Sequence, residues 1–282
     1  MNILELNNVS KSYGDFNLNN ISFTLPEGYI MGFIGANGAG KTTTLKLIMN
    51  LVNKDSGSIK VFGLDNIKDE VQIKEQIGFV YDGSYYLEHL RLKEIKNIIA
   101  PFYKNFSDEK FKDYMTTFNL NENKRLRELS QGNKMKFSSA LALSHNAKLL
   151  IMDEPTSGLD PVFRDEYLDI LRSIISDEKK SILFSTHITS DLEKIADYIT
   201  FIDKGNLILS EEKDLLLDNY RLIKGNHDCL TKSNSNLVIG KRDGSYNFEG
   251  LIKSSDSKEF SSDNFLIERP SLENIMLHMV RR

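Results

Sequence analysis

The run Gly35-Ala36-Asn37-Gly38-Ala39-Gly40-Lys41-Thr42 constrains this chain more than any other feature. It follows a compact apolar stretch, Tyr29–Ile34, and precedes a segment, Thr42–Asn50, with Leu45, Ile48 and Met49 at helical spacing. Strand, glycine loop and helix, in that order, is the setting that the pattern G-x-x-x-x-G-K-[ST] requires. Gly35, Gly38 and Gly40 let backbone N–H groups converge on phosphate oxygens without side-chain obstruction, with Asn37 and Ala39 completing the loop. The helix points its positive end at the same anion. Lys41 brings a mobile charge to the β- and γ-phosphates, the Thr42 hydroxyl suits Mg²⁺, and Thr43 follows in the first helical turn. The length and setting of the pattern favour phosphate binding over a chance glycine turn.

A second run supplies chemistry that the loop lacks. Leu149-Leu150-Ile151-Met152-Asp153-Glu154 is an apolar stretch ending in two carboxylates. A buried strand with this ending places acids at the carboxyl edge of a sheet, where open α/β sheets bind ligands. Asp153 there can hold Mg²⁺, directly or through water. Glu154 can polarise an attacking water as a general base. Strands often end in acids, so the pair gains its weight from the phosphate loop upstream. Ser181–Ser185 is another short apolar run, and the segment between, Phe163–Ile175, has helical spacing. This alternation predicts buried parallel strands.

The flanking segments differ in texture. Asn2–Val9 and Leu18–Leu25 alternate as strands, with Lys11–Asp15 as a loop, and Ser58–Phe62 reads as a further strand. From about Asp82 to Asn146 helical spacing takes over, in Leu92–Tyr103, Asp108–Phe118 and Gly132–Ser144. Ile199–Ile202 and Asn206–Leu209 flank Lys204-Gly205 as a hairpin. Beyond Tyr220 the chain is polar and serine-rich, with strand-like pieces at Leu237–Ile239 and Phe265–Ile267. A final helix fits Ser271–Arg282, with Ser271 as its cap.

Composition narrows the function classes. A net charge of −4 argues against a nucleic-acid partner, whose binding surface is usually basic. The single cysteine, Cys229, cannot form an internal disulfide and suits a reducing compartment. The first residues lack a signal-peptide layout. No run approaches the ~18 to 20 apolar residues that span a bilayer, so a membrane role would need another chain.

Taken in order, the motifs resemble those of an ABC-transporter ATPase. Walker A at Gly35–Thr42, Leu129-Ser130-Gln131-Gly132-Asn133, Walker B at Leu149–Asp153, Ser157-Gly158-Leu159-Asp160 and His187 occur in that family's sequence, over about residues 1 to 215. The likeness is to bacterial subunits of the export type that pair with a separate membrane protein. It implies an α/β fold: a P-loop NTPase core with a mixed sheet, an N-terminal antiparallel β-subdomain, an inserted helical subdomain over about 82–148 and a small α+β C-terminal extension. The division it suggests is an ATPase domain over 1–219 and an accessory region over 220–282.

The resemblance also implies roles. Tyr13 would stack on adenine. Ser130 and Gly132 match the signature LSGGQ, which grips the ATP held by a second ATPase subunit, so that two ATP are sandwiched in a head-to-tail homo- or heterodimer. Asp160 would cross that interface, and His187 would be the switch histidine beside Glu154. A transmembrane permease subunit would dock in a groove near Asp82–Leu90, placing the chain at the cytoplasmic face of the membrane. Two departures stand out. The signature reads LSQGN, and Asp82 replaces the glutamine or glutamate that senses Mg²⁺, where its shorter carboxylate can still ligate the ion; Asp82 is equally readable as a turn residue before Gly83. A soluble ABC-type ATPase, for example in cluster assembly, stays open on the sequence alone.

Overall fold

Three short strands in which every residue is buried make the centre of the molecule: β3 (Ile30–Ile34), β7 (Leu149–Asp153) and β8 (Ser181–Thr186). Being covered on both faces, they read as near-continuous apolar runs and not as alternating ones. They belong to a ten-stranded mixed sheet in the computed structural model, which describes residues 1–81, 86–178, 180–244, 247–260 and 264–280. The other strands are β1 (Asn2–Tyr13), β2 (Phe16–Pro26), β4 (Ser56–Val61), β5 (Leu64–Asp65), β6 (Ile77–Val80), β9 (Tyr198–Asp203) and β10 (Asn206–Glu212). The order is β5-β4-β1-β2-β10-β9-β3-β8-β7-β6.

The sheet has two halves. β9, β3, β8, β7 and β6 run parallel, with Ile34 opposite Thr186 and Asp153 opposite Ser185. Their carboxyl ends therefore release Gly35, Glu154 and His187 along one edge. β1, β2, β4 and β5 pair antiparallel, and a single parallel pairing, Asn206 with Asn19, joins this wing to β10. The expected loop over Lys11–Asp15 shrinks to the two residues Gly14-Asp15. β1 runs on to Tyr13 because the Asp55 carboxylate accepts from Ser12 N and Lys11 Nζ, both at 2.7 Å, and Gly14 takes the positive φ of 53° that the tight turn needs.

The helices are α1 (Lys41–Ile48), α2 (Glu70–Lys74), α3 (Leu92–Ile99), α4 (Asp108–Thr117), α5 (Gln131–Leu143), α6 (Pro161–Glu178), α7 (Thr189–Ile195), α8 (Lys213–Asn219), α9 (Lys232–Ser235) and α10 (Leu272–Met279). α1 and the wing share one apolar core with the lower face of the sheet. The α3–α5 insertion packs on the other side around Leu92, Phe111, Phe118 and Phe137, together with Tyr167 of α6. Burying each such side chain contributes roughly 1.5–3 kcal/mol. α3 stops at Ile99, short of Tyr103, because Pro101 tightens Ala100–Phe102 into a 3₁₀ turn.

A second, antiparallel sheet follows in the order β12-β13-β11-β14, built from β11 (Tyr220–Asn226), β12 (Ile239–Asp243), β13 (Asn247–Lys253) and β14 (Phe265–Glu268). The strand-like piece expected at Leu237–Ile239 begins only at Ile239. Leu237 N and Val238 N bond back to Asn234 O and Ser235 O as the end of a helical turn. α10, capped by Ser271, lies between this sheet and α7. Its Leu272 N–H donates to Glu193 Oε1 at 2.7 Å, and His278 Nδ1–H to Gly240 O at 2.7 Å.

Candidate active site

The glycine loop closes around a cavity of about 400 Å³ lined by Phe16, Ala36, Asn37, Gly38, Gly40, Lys41, Thr42, Thr43 and Glu154. Gly38 and Gly40 hold φ of 79° and 113°, left-handed values that side chains resist. Gly35 is fixed by crowding, since a Cβ there would meet Ile202 O at 2.5 Å. Ala39 is buried below the loop and its carbonyl accepts from Gly205 N at 2.9 Å. The first N–H groups of α1 have no acceptor inside the helix and face an anion site at its positive end.

Lys41 is buried. Its Nζ donates to Gly35 O at 2.7 Å and stands 3.3 Å from Glu154 Oε1. Thr42 Oγ1 donates to Asp153 Oδ2 at 2.8 Å, and Ser185 Oγ to Asp153 Oδ1 at 2.9 Å. Burial pushes the Asp153 carboxyl above its usual range, against the pull of these two hydroxyls. Two hard oxygens side by side suit Mg²⁺, which takes few protein ligands and completes its shell with phosphate and water. Among the described residues no group of three or more His, Cys, Asp or Glu could hold a metal ion.

Glu154 sits just beyond β7 with φ of 49°, a left-handed value uncommon for a residue with a side chain. Its Oε2 accepts from His187 Nδ1 at 2.9 Å and from Thr186 Oγ1 at 3.2 Å. Its Oε1 is buried and accepts no hydrogen bond from the described residues, with the Lys41 ammonium nearby. A carboxylate held on one oxygen and bare on the other is equipped to take a proton from a water. The structure thus brings Lys41, Thr42, Asp153, Glu154 and His187 together.

Other sequence-derived residues lie apart from that cavity. Ser130 is the N-cap of α5, its Oγ accepting from Asn133 N at 3.3 Å. Gly132 is buried against the Gly158 turn, where a Cβ would meet Gly158 O at 2.5 Å. Asp160 is exposed and caps α6, its Oδ1 accepting from Phe163 N at 3.0 Å, which holds its carboxyl below the usual range. Neither Ser130, Gly132 nor Asp160 lines the phosphate cavity of its own chain. Asp82 lies outside the described residues. Of the segment after it, Tyr86 lines a cavity of about 320 Å³ with Phe79, Tyr81, Ile99, Phe102, Tyr103 and Ser138. Burial lifts the Tyr86 phenol to about 12.

Tyr13 does not line the phosphate cavity, whereas its cross-strand partner Phe16 does. The Phe16 ring lies against Gly40, with its Cζ 3.1 Å from where a Cβ would stand. Sequence reasoning passed over Phe16. The signal was the shortness of the turn, because a two-residue hairpin puts the residues on either side directly opposite and on one face.

Comparison with known proteins points to one family. The sequence profile of the ABC transporter family matches residues 18–157. The ABC transporter ATP-binding protein YtrB of Bacillus subtilis is 31% identical over 219 residues, 77% of this chain and 75% of that protein. The lantibiotic transport ATP-binding protein SrtF of Streptococcus pyogenes is 34% identical over 215 residues, 75% of this chain and 92% of that one. Among solved structures, an ATP-binding subunit of an ABC transporter superposes with a TM-score of 0.70 at 26% identity, covering 76% of this chain and 91% of the other.

Proposed function

Because the chain belongs to the family of ABC transporter ATP-binding proteins, we propose that it holds Mg-ATP over Gly35–Thr43 and hydrolyses it with Glu154 as base, powering a separate membrane subunit. The observation that supports this most is the meeting of Lys41 and His187 on one buried carboxylate, with Asp153 and Thr42 alongside.

Gly35–Gly40 backbone N–H groups and Lys41 bind the phosphates and neutralise charge that develops during transfer. Thr42 and Asp153 would hold Mg²⁺, which would supply positive charge to stabilise the transferring phosphoryl group. Glu154 Oε1 takes a proton from the attacking water, while His187 and Thr186 hold Oε2 so that Oε1 faces it. Phe16, with Tyr13 opposite, packs on the base at the mouth of the cavity.

Ser130, Gly132 and Asp160 act on the nucleotide of a second ATPase subunit in a head-to-tail pair. None of the three lines the chain's own cavity, which supports this reading. The aromatic hollow around Tyr86 and Phe102 takes a helix of the membrane partner. No described helix is long and apolar enough to cross a membrane. We place the chain as a peripheral subunit at the cytoplasmic face in an export-type transporter. We divide the chain into an ATPase domain over 1–219 and an accessory region over 220–282.

Phosphate release with and without Mg²⁺ tests the assignment. The parent should hydrolyse ATP only with the metal present, and Lys41→Ala should bind ATP at least tenfold more weakly. Parental affinity in Lys41→Ala would remove the nucleotide from this cavity.

A further inference from the structure

Glu154 is reached through one turn and His187 leads into one helix, and a buried polar cluster joins the two. Thr156 lies two residues beyond Glu154, in a turn closed by Ser157 N to Glu154 O at 3.0 Å and Leu159 N to Thr156 O at 3.2 Å. Asp191 lies four residues beyond His187, in the first turn of α7. Thr156 Oγ1 donates to Asp191 Oδ2 at 2.7 Å, and both side chains are buried. Arg164 of α6 donates from Nε to the other oxygen, Oδ1, at 2.7 Å and from Nη2 to Ser190 Oγ at 3.1 Å. Neither Asp191 oxygen is left bare in a place where an unpaired carboxylate would be costly.

We propose that Thr156, Asp191 and Arg164 form a clamp of positioning residues that fixes the Glu154 turn against the helix behind His187. It sets the rate of turnover without touching nucleotide. The inference rests on the Glu154 and His187 roles given above. Its physical ground is the mismatch between the two sides of the pair. Glu154 sits in a left-handed conformation that persists only where its surroundings fix it, and His187 is half exposed beyond the end of β8. Glu154 N–H donates to Ser185 O at 2.8 Å and so joins the two strand ends, and the buried carboxylate four residues along α7 adds a second tie beyond their 2.9 Å contact. The same turn ends at Asp160, so the clamp also fixes where that residue is presented. A displacement of about 1 Å at a reacting group can cost roughly a hundredfold in rate.

The test compares Thr156→Val, which keeps the shape and removes the hydroxyl, with Thr156→Ser, which keeps the hydroxyl. Turnover is read at saturating Mg-ATP in the full chain, and affinity by direct ATP titration. Thr156→Val should lose at least tenfold in kcat with ATP affinity within twofold of the parent, and Thr156→Ser should turn over within threefold of the parent. Should Thr156→Val not fold, Arg164→Gln decides by the same split, its side chain being partly exposed. Parental kcat in the folded variant, or a fall in affinity as large as that in kcat, would overturn the clamp. Glu154→Gln run alongside separates the two ideas. If it is inactive while Thr156→Val is not, only the clamp fails; if it matches the parent, the site assignment itself fails.

Discussion

Lys41 Nζ and Glu154 Oε1 stand 3.3 Å apart, two opposite charges buried at the place where a terminal phosphate would enter. The ammonium is held from the other side by Gly35 O at 2.7 Å. Phosphate and Glu154 therefore compete for one cation. The carboxylate repels the incoming charge, and its neutral amide would not.

Glu154→Gln should accordingly separate binding from chemistry. Loss of the base should lower turnover by roughly a hundredfold or more. ATP affinity should hold or tighten, since a like charge has left the phosphate site. Single-turnover hydrolysis with a parallel equilibrium titration reads both. Loss of affinity in proportion to rate would mean that Glu154 is needed to build the cavity and not to run the reaction.

The raised pKa of Asp153 gives a second expectation. Burial is the main cause, so its ionised form costs the ligand-free fold stability. For a folded pKa above the ordinary 3.8, the favourable contribution is complete below that value and is lost as pH rises through the folded one. Asp153→Asn should thus raise the melting temperature of the ligand-free protein at neutral pH, with the gain fading toward pH 4. It should also abolish the extra stability that Mg-ATP gives the parent. A variant that melts below the parent at neutral pH would show that the Thr42 and Ser185 hydroxyl contacts outweigh the buried charge.

Phe16 carries the third. Stacking on an aromatic ring is worth about 1–3 kcal/mol per base, so Phe16→Ala should weaken ATP binding by roughly five- to a hundredfold. Binding of inorganic tripolyphosphate, which has no base, should not change. Tyr13→Ala should cost less, because Lys11 lies 5.3 Å over its ring and Tyr13 does not line the cavity. An equal loss for both ligands in Phe16→Ala would mean that the ring supports Gly40 instead of a base.

The sequence was legible where one physical requirement fixes several residues at once. The glycine loop, its lysine and the acidic strand end need particular residue types at set spacing, and the buried strands β3, β7 and β8 announce themselves as apolar runs. Phe16 escapes a reading that makes Lys11–Asp15 one loop, because only the two-residue Gly14-Asp15 turn sets it directly opposite Tyr13. β11 and β13 were missed for a similar reason, and β12 was expected early, at Leu237–Ile239. Their residues are held by cross-strand partners and by α10, and a local window over this polar, serine-rich segment shows weak alternation. The Thr156–Asp191 contact joins positions 35 residues apart, and nothing in either stretch marks them as a pair.

Gly132 offers the last prediction, on the signature segment. It lies in the first turn of α5, and a Cβ there would come within 2.5 Å of Gly158 O, closer than real contacts allow. Gly158 has φ of 74° and lies in the turn that leads to Asp160, so backbone, not a flexible side chain, would have to yield. Gly132→Ala should shift that turn while leaving the phosphate loop untouched, since neither residue lines the cavity. ATP affinity should stay within twofold of the parent. Turnover should fall roughly tenfold to a hundredfold, because Ser130 and Asp160 would no longer meet a partner's nucleotide in register. Gln131→Gly, which restores the common signature residue beside it without a clash, should leave turnover at or above the parental rate. Equal rates for Gly132→Ala and the parent would show that this turn tolerates displacement and that the signature's glycine has no part in the rate.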